Sequence, residues 1–268
     1  MNQTTTIPKY LTIKQEANAK EAELFIDGEI VTDEWEDSDT SAAGFRDALK
    51  ELGDVKNINL HINSPGGSVF EGIAICNMLK QNSAHINVYV DGLAASIASV
   101  IAMSGDTIFM PSNAMMMIHN PWTMAIGNAS ELRKQADDLD HIAQASVQTY
   151  LAKAGDKLDE DTLQDLLDNE TWLTAQEAVD YGLADEVLEP NKAAASISGK
   201  YAERYKHVPE QLIKTPATKE KVSNKLTEKE LQKIRETAQT NADAVSINLE
   251  KLKEELSNEL VWHEDQRV

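Results

Sequence analysis

The sequence predicts an α/β fold: a largely parallel sheet with crossover helices, followed by a linker and a helical tail. Strand-like apolar runs alternate with amphipathic helical runs along residues 1–190, and turn residues separate them. Composition then changes. Residues 1–190 carry 11 Lys and Arg against 32 Asp and Glu, whereas residues 191–268 carry 14 against 13. The chain therefore divides into an acidic body and a differently composed tail.

The elements of the body follow from hydrophobic period and turn residues. Short apolar runs predict strands at residues 9–14, 22–31, 58–62, 86–90, 106–110, 114–118 and 184–188. Helical spacing predicts helices at residues 42–52, 68–81, 97–103, 128–153, 159–167 and 174–182. Ser130 is expected to cap the long fourth helix, and Thr174 forms a capping box with Glu177.

Three regions are expected along the chain: a body at 1–190, a flexible basic linker at 191–225, and a helical tail at 226–268. The linker is polar, rich in lysine and without clear periodicity. In the tail, apolar residues recur at near-heptad spacing, at Val245, Leu249, Leu252, Leu256 and Leu260. This spacing is typical of a short coiled coil, and a marginal amphipathic helix fits it nearly as well.

Composition excludes several classes of protein. One cysteine, Cys76, excludes an internal disulfide and is expected to pack as a small apolar side chain. The sequence shows no signal peptide and no apolar run long enough to span a bilayer, so we expect a cytoplasmic protein without a membrane partner. The acidic body argues against nucleic acid as a partner. We expect no cofactor and no metal ion.

Three stretches with candidate chemistry follow predicted strands. Gly66 and Gly67 can aim a backbone N–H into a cleft. Ser96 follows small residues at the mouth of a helix, where free amides and the helix dipole face its hydroxyl. His119 ends a strand and can act as a base. Taken singly, these stretches also fit an ordinary turn, a helix cap and a structural histidine. Together they lie at strand ends, where open α/β sheets bind ligands.

Four blocks of the body match one known family, in its order and at near its spacing, across residues 20–190. The blocks are Ile62-Asn63-Ser64-Pro65-Gly66-Gly67, Gly92-Leu93-Ala94-Ala95-Ser96, Met117-Ile118-His119-Asn120-Pro121 and Leu173-Thr174-Ala175-Gln176-Glu177-Ala178-Val179-Asp180-Tyr181-Gly182-Leu183-Ala184-Asp185. They resemble the Clp protease proteolytic subunit (ClpP), a family of serine peptidases with a crotonase-like fold. The resemblance implies that residues 1–190 form a ClpP-like serine peptidase domain.

The resemblance also implies the roles of individual residues. Ser96 is the expected nucleophile and His119 the expected base, with an oxyanion hole formed by the backbone N–H groups of Gly67 and Ile97. The position aligned with the family's catalytic aspartate is Glu170. Asp168, two residues earlier, is the less favoured candidate for the third member of the triad.

Assembly and biological role are implied in the same way. The helix at 128–153 corresponds to the protruding handle helix by which family members interlock two rings of subunits, so we expect a homo-oligomeric ring, stacked in pairs, that cleaves proteins or peptides. The chain lacks a Gly-x-x-x-x-Gly-Lys-Ser/Thr loop, so any Clp ATPase partner is a separate chain. The acidic connection around Trp35 and the form of residues 170–174 resemble phage and prophage members. Those are often head-maturation proteases that act on capsid or scaffold proteins.

Other functions stay open. One is a housekeeping-type Clp proteolytic subunit that works with a separate ATPase. A Ser-Lys peptidase of the signal peptide peptidase type would need a lysine near Ser96. A crotonase-fold binder or acyl-CoA enzyme would keep the oxyanion amides without needing the serine. Glu170 in place of aspartate is compatible with a catalytically inactive assembly scaffold.

Overall fold

The structure of the chain is a computed structural model. It describes residues 21–36, 38–190 and 204–209, and the backbone at 197–198 and 213–214. All of these residues belong to one compact unit, residues 1–216. The strand predicted at 9–14, most of the predicted linker and the whole predicted tail lie outside the described residues.

Strands and helices alternate along most of the described chain, which confirms the α/β class. The strands are β1 (Glu21–Ile30), β2 (Asn57–Gly67), β3 (His85–Ala95), β4 (Thr107–Pro111), β5 (Met115–Ile118), β6 (Thr171–Thr174) and β7 (Glu186–Leu188), with a short separate pair, β8 (Ile197–Ser198) and β9 (Ile213–Lys214). The helices are α1 (Ala42–Leu52), α2 (Val69–Lys80), α3 (Ile97–Ala102), α4 (Ala129–Ala154), α5 (Glu160–Asp168) and α6 (Ala175–Asp180), and a 3₁₀ turn follows α4 at Gly155–Lys157.

The sheet divides at β3, and this division positions the candidate site. Strands β1, β2, β3, β4 and β7 lie side by side and are parallel. The middle of β3 pairs with β4, but its last residues pair in parallel with Met115–Met117 of β5. β5 pairs in turn with β6, which is antiparallel to it. The carboxyl ends of β3 and β5 are therefore neighbours at the edge where open α/β sheets bind ligands.

Alternate residues of β1 to β4 form the core together with the helices. The fully buried strand residues include Leu24, Ile26, Ile30, Ile58, Leu60, Ile62, Val88, Val90, Ile108 and Met110. Burial of such side chains stabilises the fold by about 25 cal/mol per Å² of apolar surface. The other alternate residues are partly exposed, among them a row of stacked rings formed by Phe25, His61, Tyr89 and Phe109.

Two local features differ from the predictions. Asn128 caps α4, since its side chain accepts hydrogen bonds from the amides of Ser130 and Glu131, and Glu131 accepts one from the amide of Asn128. The prediction of Ser130 as the cap is wrong because an asparagine two residues earlier supplies the acceptor. β6 is not predicted by the sequence pattern, because it forms by antiparallel pairing with β5, a partner that no local pattern specifies. The capping box of Thr174 and Glu177 at α6 is confirmed.

The long helix α4 is exposed over most of its length. Its buried residues lie in its second half, at Ser146, Val147, Tyr150 and Ala154. Among the helices of the described ranges, none combines the length and the apolar character that crossing a membrane requires.

Candidate functional site

Ser96 lies between the last residue of β3 and the first residue of α3. Its φ of 56° and ψ of −130° fall in a region that residues with a Cβ rarely adopt. The backbone N–H of Ser96 donates to the carbonyl of Met117 in the neighbouring strand, over 2.8 Å. The hydroxyl makes no capping bond to the helix. The strained turn resembles the strand–turn–helix geometry that exposes a serine nucleophile.

His119 follows β5 directly, and the pairing of β5 with the end of β3 brings it to Ser96. Nε2 of His119 lies 2.7 Å from Oγ of Ser96, within hydrogen-bond distance. Burial lowers the pKa of His119 below its ordinary value of 6.5, the carboxylate of Glu170 acts in the opposite direction, and Lys206 lowers the pKa further. At neutral pH the imidazole is therefore neutral, so that it can accept the hydroxyl proton.

The end of β2, residues 63–67, which the sequence pattern predicts as a turn, approaches the same point. Gly66 and Gly67 have φ values of 87° and 150°, which favour glycine. A Cβ at Gly66 would lie 2.7 Å from Cβ of Ser96 and 3.2 Å from the backbone nitrogen of Ile97. Ile97 is the first residue of α3, where amides have no partner within the helix. The structure thus brings Gly66 close to Ser96 and to the first amide of α3, whereas a Cβ at the next residue, Gly67, would meet the backbone of Ile30.

The two candidates for the third member of the triad differ in their surroundings. Glu170 has a φ of 50°, is only 8% exposed, and is close enough for its charge to raise the pKa of His119. Asp168 is exposed at the end of α5, where it accepts hydrogen bonds from the side chains of Asn120 and Gln164. Of the two carboxylates, Glu170 is the one whose charge acts on the pKa of His119.

The site contains a residue that the sequence motifs did not predict. The ring of Tyr205 meets His119 edge to face, with 5.7 Å between the ring centroids. The basic character of residues 191–225, opposite an acidic body, is the one sequence signal that could have suggested a contact there. Ser99, the nearest other serine on α3, is fully buried, and its hydroxyl lies 2.7 Å from that of Tyr150.

Two other kinds of chemistry, metal binding and a Ser-Lys pair, can be compared with this site in the described ranges. Among those residues, no group of three or more His, Cys, Asp and Glu side chains is arranged to hold a metal ion. The residue within hydrogen-bond distance of Oγ of Ser96 is a histidine rather than the lysine that a Ser-Lys peptidase would need.

The fold and this arrangement define a class, the α/β proteins with a serine–histidine pair at a strand–helix junction and backbone amides beside it. A family model described as Clp protease matches residues 11–191, well over half of the sequence. The chain therefore belongs to the Clp protease family. Clp proteases are serine-type peptidases that act on proteins and typically form oligomeric rings.

Proposed function

We propose that this chain is a serine endopeptidase with Ser96 as nucleophile, His119 as general base and Glu170 as the acid that orients the base. The observation that carries the proposal is the 2.7 Å contact between Nε2 of His119 and Oγ of Ser96. A neutral imidazole in that position removes the hydroxyl proton as the nucleophile attacks. The strained backbone at Ser96 supports the same role, because such outliers persist mainly where function requires them.

In the proposed acylation step, Oγ of Ser96 attacks the carbonyl carbon of the scissile peptide bond and Nε2 of His119 takes its proton. The carbon–nitrogen bond then breaks, and His119 passes the proton to the departing amine. Deacylation repeats these steps with water. His119 takes a proton from water, the ester bond to Ser96 breaks, and the proton returns to the serine. Peptide and water are the only reactants.

The backbone N–H groups of Gly67 and Ile97 would stabilise the negative oxygen of the tetrahedral intermediate. Support comes from the close approach of the Gly66–Gly67 turn to Ser96 and to the first amide of α3. Each such donor lowers the barrier by about 3–4 kcal/mol in acyl-transfer enzymes. The carboxylate of Glu170 would stabilise the imidazolium that forms in the same step.

A fluorophosphonate probe tests this proposal, because it forms a covalent bond with an activated serine and is read out by intact mass. We expect one label per wild-type chain and none on Ser96→Ala or His119→Ala. Ser112→Ala, which alters an exposed turn serine, is the matched control and should label like wild type. Unlabelled wild type would contradict the proposal and favour a binder or an inactive scaffold.

We propose further that the chain works as a homo-oligomer, with α4 as the handle between stacked rings. The exposed first half of α4 and the exposed apolar residues Trp122, Met124, Ile126 and Leu132 support such an interface. Sedimentation velocity on wild type and on Ile126→Asp tests this. We expect a large assembly for wild type and smaller particles for the variant. A monomeric wild-type chain would contradict it.

The biological role we propose is head maturation in a phage or prophage, with a capsid or scaffold protein as substrate. The form of residues 170–174 and the acidic connection around Trp35 support it by resemblance. Wild type co-expressed with the capsid precursor of its own genome should shorten that precursor, and Ser96→Ala should leave it intact. A precursor left at full length by a protein that labels fully would favour a housekeeping Clp subunit.

A further inference from the structure

Residues 204–208, called the covering segment below, lie beside the candidate catalytic histidine. Tyr205 is at its centre. Its ring meets His119 and Trp172 edge to face, with centroid separations of 5.7 and 5.8 Å. Val208 packs, with Tyr205, against a small apolar cluster that includes the buried Leu93, Ala95 and Met117. Trp172 lies on β6, Leu93 and Ala95 on β3, and Met117 on β5, so the covering segment packs on the strands that build the site.

Polar contacts hold the covering segment along its length. The hydroxyl of Tyr205 donates to the carbonyl of Pro65 in the loop that precedes the proposed oxyanion amide. The guanidinium of Arg204 forms an ion pair with Glu29 at the end of β1. The backbone N–H of His207 donates to Oε1 of Glu170 over 2.9 Å. A backbone amide, an apolar pocket and a charge pair are the means by which a peptide is recognised.

The charges also fit an occupant of this kind. The body carries three times as many acidic as basic residues, whereas the covering segment carries Arg204 and Lys206 and no acidic residue. It forms one wall of a cleft of about 610 Å³ whose other walls include His119, Trp122, Leu167 and Glu170. Opposite charge across a groove favours a basic peptide over an acidic one.

We propose that the groove in which the covering segment lies, beside this cleft, is the substrate groove, that it accepts a peptide with a basic residue directly followed by an aromatic one, and that the covering segment fills it as an internal pseudo-substrate. The proposal rests on the proposed peptidase function. Glu29 provides the subsite for the basic side chain, and Trp172, His119 and the carbonyl of Pro65 provide the subsite for the aromatic one. While the segment is bound, it covers His119 and engages Glu170, so that a substrate enters only after the segment leaves.

Such occupancy lowers the observed rate in proportion to the fraction of molecules in which the groove is open. The rate of fluorophosphonate labelling in the full-length chain measures that fraction. We expect Tyr205→Ala to label about tenfold faster than wild type, because the ring and its hydroxyl bond are both lost. Tyr205→Phe and Arg204→Ala should label several-fold faster. Ser112→Ala, in an exposed turn outside the groove, is the matched control and should stay within about twofold of wild type.

A binding measurement tests the groove without any chemistry. A fluorescent peptide with the sequence Arg-Tyr-Lys-His-Val should bind full-length Ser96→Ala/Tyr205→Ala at least about tenfold more tightly than full-length Ser96→Ala. A peptide in which glutamate replaces the arginine and alanine the tyrosine is the control, and it should bind neither protein.

The outcomes separate the two proposals. Equal labelling of wild type, Tyr205→Ala and Arg204→Ala would overturn the pseudo-substrate while leaving the peptidase intact. Absence of labelling in all of them would overturn the peptidase, and the peptide would then still test the groove. Failure of the double variant to bind the peptide would overturn the groove. Cleavage of the wild-type chain between Arg204 and Pro209, detected by intact mass, would show that the covering segment is cut as a substrate. That result would overturn the proposal that it is a stable pseudo-substrate.

Discussion

At Ser96 the backbone has a φ of 56° and a ψ of −130°, which glycine adopts readily and residues with a Cβ avoid. Neighbouring groups hold it there. Its N–H donates to the carbonyl of Met117, and its own carbonyl accepts bonds from both the amide and the hydroxyl of Ser99. Such a conformation costs about 1–3 kcal/mol, which the surrounding fold must offset. The same conformation directs the hydroxyl toward His119 rather than toward the helix amides.

This strain predicts an unusual order of stability among variants. We expect Ser96→Gly to have a free energy of unfolding about 1 kcal/mol higher than Ser96→Ala, because glycine relieves the left-handed strain and both variants lack the hydroxyl. Ser146, which lies inside α4, is the control position, and there the glycine variant should be the less stable one. Urea unfolding measures both pairs. The same order at both positions would refute strain at Ser96.

The pKa of His119 predicts the pH dependence of labelling. A base with a lowered pKa stays neutral to a more acidic pH, so the rate should rise with pH through a midpoint below 6.5. Glu170→Gln removes a charge that raises this pKa, and the midpoint should move lower. Lys206→Ala removes a charge that lowers it, and the midpoint should move higher. Rates from about pH 4 to 9 test this. A midpoint that rises in Glu170→Gln would contradict the arrangement.

Sequence predicts some of these residues and not others for physical reasons. Ser96 and His119 each lie in a short local motif at a strand end, so their meeting follows once parallel strands are expected. The choice between Glu170 and Asp168 depends on the positive φ at Glu170. The sequence does not predict that conformation, because glutamate rarely adopts it. Tyr205 reaches Pro65 across 140 positions of the chain. No local pattern encodes that contact.

At the scale of elements, α3 is placed by its contact with α2. Gly72 is buried in α2, and a Cβ there would lie 2.2 Å from Cγ1 of Ile97, the first residue of α3. The helices were predictable because their caps and apolar stripes are local signals. The pairing of the middle of β3 with β4 and of its end with β5 was not predictable, because strand pairing depends on residues distant in the sequence.

The close approach of α2 and α3 predicts a specific coupling. Gly72→Ala should lower the free energy of unfolding by about 1–3 kcal/mol and slow labelling, because it displaces Ile97, whose amide we assign to the oxyanion hole. Ile97→Ala removes the atom that the new methyl group would strike. In the double variant the cost of Gly72→Ala should therefore shrink by at least about 1 kcal/mol. Urea unfolding of the four proteins measures this coupling, and strictly additive costs would exclude the contact as the cause.

At the scale of the whole molecule, the face of the sheet opposite the buried strand residues holds a charged cluster within an aromatic row. His61 stacks between Phe25 and Tyr89, with centroid separations of 4.8 and 5.1 Å. Its two ring nitrogens each lie 2.9 Å from a carboxylate, one on Glu23 and one on Asp91. Only the imidazolium can donate to both. The protonated ring of His61 on β2 therefore links Glu23 on β1 with Asp91 on β3, in addition to the packing of the stacked rings.

The cluster predicts that stability depends on pH near neutrality. Burial alone would lower the pKa of His61, but the hydrogen bonds and charges of Asp91 and Glu23 outweigh it and raise the pKa. A raised pKa in the folded state stabilises below the unfolded value of about 6.5, and this stabilisation is lost as pH rises through the folded value. His61→Phe keeps the stacking without the charge. We expect it to cost roughly 1–2 kcal/mol more at pH 6 than at pH 9.

Two other groups of this face have shifted pKa values. Burial first, and then the charge of Asp91, raises the pKa of Asp27 against a smaller opposing effect of His61, and burial first raises the pKa of Tyr89, further above the range of this test. Urea unfolding at one protein concentration keeps any assembly constant between the two proteins. A cost of His61→Phe that is the same at both pH values would mean that the proton contributes nothing. The side chains of this face would then join the three strands through ring stacking and through the hydrogen bonds of Asn59 with Glu23 and Asn87, without a contribution from the charge of His61.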